Sequence, residues 1–398
     1  MASRSAGTLL LPWPTAGKAP TKHRVAMDHT ILFVTLTLAL VGLVMVFSAS
    51  AIVAGNRFHD PEFFLKRQVA WLGFGFLLMH LTSRIDYQLW RKLSIPILVC
   101  MVMLLIMVLV PGLGVAAKGA RRWLRAGPVS VQPAEMVKLV AVVYLASYLS
   151  KKSDKITSFK GGLIPALIVI GLLSGLVLLE PDLGTVVVIG LVTVSLLFLG
   201  GARVTHLLGL GLCAIPAVLI LVLSSSYRRQ RLMTFLAPWK DASDAGFQIT
   251  QSFLAFGSGG PFGVGLGEGK QKLFFLPEAH TDFVLALVGE ELGLAGTATV
   301  ILLFALFVWR GFLISARARM PFGKFLGLGI TLLIGLQALV NAAVVTGLVP
   351  TKGLTLPFVS YGGSSLVVSF IGVGMLLSIS RDRHAGGSKG GRGETDHG

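Results

Sequence analysis

The stretch Leu276-Pro-Glu-Ala-His-Thr-Asp-Phe283 runs directly into Val284-Leu-Ala-Leu-Val-Gly-Glu-Glu-Leu-Gly-Leu-Ala-Gly-Thr-Ala-Thr-Val-Ile-Leu-Leu-Phe-Ala-Leu-Phe-Val308. An apolar run of about 20 residues is long enough to cross the hydrocarbon core of a bilayer as a helix. The junction therefore places a single carboxylate, Asp282, at the mouth of a membrane span. An acid in that position is a functional suspect.

Similar runs fill the rest of the chain. Hydrophobic residues make up 54% of the sequence and charged ones 13%, against roughly 25% charged in a soluble domain; the mean hydropathy is +0.79. Windows of about 20 residues predict spans near 31–53, 69–82, 93–112, 133–149, 162–179, 183–200, 205–223, 282–308, 324–346 and 362–380. The second is the weakest, being short, and the fourth carries Glu135 and Lys138. Pro165 and Pro216 fall inside the fifth and seventh spans and predict kinks there. The fold class is an all-α polytopic membrane protein of ten transmembrane helices. Residues 31–380 form one membrane domain with a large external loop at 224–281, flanked by a tail at 1–30 and a Gly- and charge-rich disordered tail at 381–398. The Leu9-Leu10-Leu11 run is too short for a signal-peptide core, so the first span reads as an uncleaved anchor.

An even number of spans puts both termini on one side, and the distribution of Lys and Arg makes that side the cytoplasm. The formal charge of +17 is accounted for mainly by this topology, with no nucleic-acid partner implied. Lys118, Arg121, Arg122 and Arg125 are the exception, since they crowd one short external loop against the rule. Cations retained there point to an anionic ligand such as a phosphorylated lipid head group. Cys100 and Cys213 lie in apolar spans without paired spacing and indicate neither disulfide nor metal chemistry.

Other polar residues have ordinary explanations beside functional ones. Gly257, Gly259, Gly260, Gly263, Gly265, Gly267 and Gly269 form a tract that lets backbone approach a ligand closely, or that serves as a flexible surface loop. Lys270, Lys272 and the pair Phe274-Phe275 follow it. Thr281 is placed to cap the eighth helix, with Asp282 in its first turn, where an acid also stabilises the helix start. Glu290 and Glu291 lie deeper in the same helix and read as internally paired, structural groups. Glu135 and Lys138 are three apart, share a helix face and suit an internal ion pair. Glu180-Pro-Asp-Leu-Gly184 reads first as a tight turn. The segment Gly347-Leu-Val-Pro-Thr-Lys-Gly-Leu-Thr-Leu-Pro-Phe-Val-Ser-Tyr-Gly-Gly-Ser-Ser365 suits a fixed, cavity-lining loop, within which Lys352 is either a pyrophosphate contact or a snorkelling anchor.

Taken together, Ser48-Ala-Ser50, Ala120-Arg-Arg-Trp123, Gln132-Pro-Ala-Glu135, Glu180-Pro-Asp-Leu-Gly-Thr185, Ser258-Gly-Gly260, Leu276–Phe283, Glu290-Glu-Leu-Gly293 and Ser360-Tyr-Gly-Gly-Ser-Ser365 resemble the SEDS family (shape, elongation, division and sporulation) of bacterial cell-wall glycosyltransferases over roughly 28–381. The string Pro350-Thr-Lys-Gly-Leu-Thr-Leu-Pro357 is most like the division-type branch. Lys118, where an Asn is common, and Ala134, where a Ser is frequent, depart from the pattern.

The resemblance implies polymerisation of lipid II at the outer face of the cytoplasmic (inner) membrane, in septal wall synthesis. Asp282 then takes the base or acceptor-positioning role, and Lys352, Arg121, Arg122 and Lys272 contact the pyrophosphate. Trp123, Ser360 and Ser364 join the substrate-binding set. Implied partners are lipid II and the undecaprenyl-pyrophosphate-linked glycan, a class B penicillin-binding protein transpeptidase, divisome regulatory proteins and membrane lipid. The sequence leaves open whether a divalent cation, Mg2+ or Mn2+, bridges Asp282 and pyrophosphate. Two other function classes also stay open: a lipid II flippase, which needs Glu135 and Lys138 more than Asp282, and a non-catalytic scaffold for the transpeptidase, which needs no acid at all.

Overall fold

The computed structural model describes residues 27–117, 120–127, 129–241, 246–273, 276 and 279–385. Lys118, Phe274-Phe275, Pro277-Glu278 and most of the two tails, on which several expectations fall, lie outside the described residues.

Thirteen α-helices carry the fold among the described residues: α1 His29–Phe58, α2 Phe63–Arg84, α3 Gln88–Leu109, α4 Pro133–Lys152, α5 Ile164–Leu179, α6 Leu183–Leu199, α7 Val204–Leu223, α8 Ser226–Leu236, α9 Phe247–Gly259, α10 Val284–Glu291, α11 Gly293–Ala316, α12 Pro321–Val345 and α13 Gly363–Ala385. Eight helical segments are long and apolar enough to cross a membrane. The other two expected spans correspond to α6, which is shorter, and to α2, whose hydropathy is diluted by Lys66, Arg67, Gln68 and His80. The helix α13 continues to Ala385, past the boundary at 381 expected from composition.

Two local expectations need correction. The eighth span is not one helix from 282. α10 ends at Glu291 and α11 starts at Gly293, whose φ of +67° takes the left-handed conformation that glycine tolerates best. Its N-cap is Phe283, which makes no side-chain cap bond, so Thr281 is not the cap and Asp282 precedes the first turn. Pro165 lies in the first turn of α5, after a π turn at Phe159–Leu163, where its missing N–H costs nothing. Only Pro216 of the two lies inside its helix.

Between α3 and α4 the chain forms a small antiparallel sheet in the order β1 Gly114–Ala117, β2 Ala120–Ala126, β3 Val129–Val131. It is the one departure from an all-helical fold among the described residues. In β2 the register shifts: Trp123 lies opposite Val115 and Arg121 opposite Ala116, so Arg122 falls in a β-bulge that interrupts the alternation of side chains.

α4, α12 and α13 form the centre of the bundle; α7 lies at its edge, with only Leu207 buried. In lipid, helices associate by close packing rather than by expulsion of water, which favours small residues at crossings. Gly374 of α13 is such a point: a Cβ there would stand 1.9 Å from Thr82 Oγ1 of α2. At one end of the bundle, Arg310 of α11 pairs with Asp28 before α1, and Arg381 of α13 donates to the Ser83 carbonyl of α2. The opposite end gathers the α1–α2 connection, the sheet, the α5–α6 turn, the 224–283 segment and the 346–362 loop.

Candidate active site

The segment before α10 is held through its backbone. The main-chain N–H of Tyr361 donates to the His280 carbonyl at 2.9 Å, and the side-chain amide of Asn341 donates to the Asp282 carbonyl at 2.9 Å. Around His280, the rings of Phe64 and Tyr361 pack at 4.8 and 5.7 Å. Phe283 and the whole of α10 are buried, so the chain is anchored on both sides of Asp282 while that residue stays half-exposed. Such a carboxylate has a fixed position and access to a ligand.

The 346–362 loop forms the facing wall. Leu354, Leu356, Phe358 and Val359 are buried, and a Cβ on Gly42 of α1 would stand 2.6 Å from the Phe358 carbonyl oxygen, so the loop rests directly on a helix backbone. Ser360 Oγ accepts from the Leu356 N–H at 2.8 Å and closes the turn. Gly353 lies against the acid: a Cβ there would be 3.0 Å from Asp282 Oδ2. Lys352, the preceding residue, is partly buried; desolvation lowers its ammonium pKa from the ordinary value, and the negative charge of Asp182 acts in the opposite sense. From α8, Arg231 donates to the Thr351 carbonyl at 2.9 Å and ties the large loop to the same wall.

Arg122 completes the cationic side. Its Nε donates to the Glu180 carbonyl and its Nη2 to the Pro181 carbonyl, both at 2.8 Å. Two carbonyls of the α5–α6 turn thereby orient the guanidinium. Asp182 caps α6, accepting from the Thr185 N–H at 3.1 Å and from the Thr185 hydroxyl at 2.9 Å, which bears out the reading of this segment as a turn. The 346–362 loop packs onto the same helix start, since a Cβ on Gly184 would meet the Leu354 side chain at 3.1 Å. Asp282, Lys352 and Arg122 thus belong to one connected end of the bundle, whereas Arg121 is exposed and Trp123 lies half-buried opposite Val115.

Several expected site residues are engaged elsewhere. Lys272 is buried and spends its ammonium on Glu291 at 2.8 Å, Ser48 Oγ at 2.9 Å and the Gly267 carbonyl at 2.6 Å, so it is a structural cation rather than a pyrophosphate contact. Glu291 also accepts from Ser48 and from the Gly267 N–H, and Glu290 accepts from the N–H groups of Lys270 and Gln271. The pair is bonded internally: Glu291 links α10 to Ser48 of α1, in line with the expected link to the bundle, and both acids also clasp the Gly tract. That tract packs on the α10–α11 break, where Val264 and Gly265 donate to the carbonyls of Glu290 and Glu291. A Cβ on Gly263 would lie 2.1 Å from the Glu291 carbonyl oxygen, so its glycine serves internal packing. Ser364 Oγ accepts from the Gln132 N–H at 3.1 Å. The expected ion pair forms: Lys138 meets Glu135 at 2.8 Å and Gln337 Oε1 at 2.7 Å, lining a small cavity that reaches Pro357 and Ser365.

Sequence reasoning passed over Asn341, Gln337 and Arg231. The signal for the first two was present, because a lone amide inside an apolar span is costly unless it has internal partners. Arg231 carries no such mark in an already basic loop. Among the described residues no group of three or more His, Cys, Asp and Glu side chains is placed to hold a metal ion, so a cation at Asp282 would draw most of its ligands from the substrate.

This arrangement defines a polytopic helical membrane protein with an acid and two cations at one mouth. The profile of the cell cycle protein family, FtsW/RodA/SpoVE, matches residues 28–385, and the chain belongs to that family. It is 48% identical over 353 residues to a probable peptidoglycan glycosyltransferase FtsW of Geobacter sulfurreducens, covering 89% of this chain and 95% of that one. It is also 43% identical over 361 residues to the stage V sporulation protein E of Bacillus subtilis, covering 91% and 99%. Among solved structures, a chain described under the structural coordination of polymerization and crosslinking by a peptidoglycan synthase complex superposes with a TM-score of 0.74 at 31% identity, covering 90% and 98%. The crystal structure of the rod shape determining protein RodA of Thermus thermophilus superposes with a TM-score of 0.67 at 29% identity and the same coverage.

Proposed function

We infer that this chain polymerises lipid II into glycan strands at the extracytoplasmic face of the bacterial inner membrane, with both termini in the cytoplasm, and does so during septal wall synthesis. The chain is a peptidoglycan glycosyltransferase of the FtsW type. The observation that carries the mechanism is the backbone clamp on Asp282. An acid anchored through its own carbonyl and that of His280, beside Gly353, is a preorganised base.

In the reaction, the sugar 4-hydroxyl of an incoming lipid II attacks the anomeric carbon of the growing chain. The O4–C1 bond forms as the bond from C1 to the pyrophosphate oxygen breaks, the centre inverts, and the hydroxyl proton passes to Asp282. Undecaprenyl pyrophosphate leaves, and the charge building on it is met by Lys352 and Arg122. Arg121 and Trp123 remain outside this inner set, as do Ser360 and Ser364, whose hydroxyl oxygens each accept an internal N–H. The Asp282 carboxylate would hold a divalent cation, which would supply further neutralisation of the leaving group. The partners are a class B penicillin-binding protein and divisome regulators.

A flippase reading would lean on Glu135 and Lys138. Their closed pairing with Gln337 favours a structural role. Purified full-length protein, reconstituted with its transpeptidase partner and labelled lipid II, tests the reading. Glycan strands are the expected product; transbilayer movement without polymer would overturn it, as would neither in the presence of the activating partner.

A further inference from the structure

One buried acid at this site has no place in the mechanism above. Glu180, the residue that follows α5, is 0% exposed, and neither carboxylate oxygen has a hydrogen-bond partner among the described residues. Its main-chain carbonyl, however, accepts from Arg122 at 2.8 Å, so the acid and the guanidinium are anchored to the same peptide unit. Two of the five N–H groups of Arg122 are spent on turn carbonyls. The others have no partner among the described residues.

Among the described residues, the charged groups facing Glu180 are Arg122 from β2 and Asp182 from the start of α6; Lys352, from the 346–362 loop, faces Asp182 in turn. An ionised carboxylate without hydrogen bonds is strongly disfavoured in such a place, whereas the neutral acid is tolerated. Burial and the nearby Asp182 raise the Glu180 pKa to about 8, against the smaller opposing effect of Arg122.

We propose that Glu180 is a positioning residue for pyrophosphate recognition: in its neutral form it leaves the charge of Arg122 to the anionic substrate, and in its ionised form it claims that charge for itself. The proposal rests on the reading of this site as a lipid II polymerase. Proton loss from Glu180 turns a neighbour of Arg122 into its counter-ion, and an Arg122 so neutralised holds the substrate pyrophosphate less well. The lipid II pyrophosphate is a diester that keeps both charges across neutral and alkaline pH, so titration of the substrate does not contribute.

The test is the KM for lipid II between pH 7 and pH 9, with the full-length protein and its transpeptidase partner in proteoliposomes. If only the neutral form of Glu180 is competent to bind, the wild-type KM rises about tenfold over this range, following the competent fraction. In Glu180→Gln the KM should not vary with pH. An equal rise in both proteins overturns the proposal, as does a flat wild-type profile, while absence of any polymer from the wild type would instead overturn the glycosyltransferase reading. Should the Gln variant fail to fold, Arg122→Met carries the test, because Glu180 acts only through Arg122. Its KM should be raised at every pH and no longer climb, and a KM that still climbs tenfold overturns the proposal.

Discussion

The side-chain amide of Asn341, in the interior of α12, donates to the main-chain carbonyl of Asp282 at 2.9 Å, and the same nitrogen donates to the Leu354 carbonyl at 2.6 Å. One buried amide therefore sets the position of the acid and of the loop that carries Lys352. Replacing it by Leu keeps the volume and strands both carbonyls. We expect kcat to fall about tenfold to a hundredfold, since small misplacements of a reacting group cost that much, with a smaller change in KM. Steady-state kinetics check this, and an effect confined to KM would sink the positioning role.

Asp282→Asn keeps size and polarity but removes the base. Polymerisation should drop by about a hundredfold to ten-thousandfold, while membrane insertion and transpeptidase binding persist. Normal strand synthesis by the purified variant would remove Asp282 from the mechanism.

Arg122 is fixed to the α5–α6 turn, whereas its neighbour Arg121 is exposed. Arg122→Ala and Lys352→Met should each raise the KM for lipid II by about tenfold or more, in line with the roughly 1.5–3 kcal/mol of a hydrogen bond to a charged group. Arg121→Ala should change it far less, because its side chain is exposed whereas Arg122 is held by the carbonyls of the α5–α6 turn. Equal effects from Arg121 and Arg122 would count against the site geometry.

Lys272→Met leaves Glu291 buried without its cation. Breaking a buried pair from one side costs roughly 3–5 kcal/mol, so thermal unfolding in detergent should occur at a clearly lower temperature. The Lys272→Met/Glu291→Leu double variant should recover part of the loss. A Lys272→Met protein as stable as wild type, with weakened lipid II use, would return Lys272 to the substrate site.

Glu180 binds its proton more tightly in the folded protein than in the unfolded chain. Its contribution to stability is therefore fully present below the ordinary carboxyl pKa of about 4.3 and is lost as pH rises toward the folded value of about 8. Gln has no proton to lose, so the stability of Glu180→Gln relative to wild type should grow between pH 5 and pH 8. Unfolding temperatures whose difference stays constant over that range would contradict this.

Much of the architecture and part of the site were legible in the residues alone. The apolar runs had to become helices because a bilayer leaves no other way to satisfy the backbone of a single segment. The spacing of Glu135 and Lys138 put them on one helix face, and the family motifs marked the Asp282 junction. Long-range partners were not legible. Lys272 and Lys352 look alike in a sequence, each a lone cation near glycine, yet one closes on Glu291 and Ser48 while the other stays beside Gly353 at the mouth.

What the sequence determined by itself was the membrane class, the approximate helix boundaries and the place of Asp282 at a loop-to-helix junction, since these depend on local hydropathy, local spacing and motif. What only the tertiary structure decided was which polar groups are already satisfied. It broke the eighth span at Gly293, because the Gly tract folds back onto the carbonyls of Glu290 and Glu291. It fixed Arg122 to the α5–α6 turn, left Arg121 exposed, and left both Glu180 oxygens buried without hydrogen-bond partners among the described residues. The physical reason is that a hydrogen bond or ion pair between residues hundreds of positions apart depends on how helices pack, and no local pattern encodes that packing.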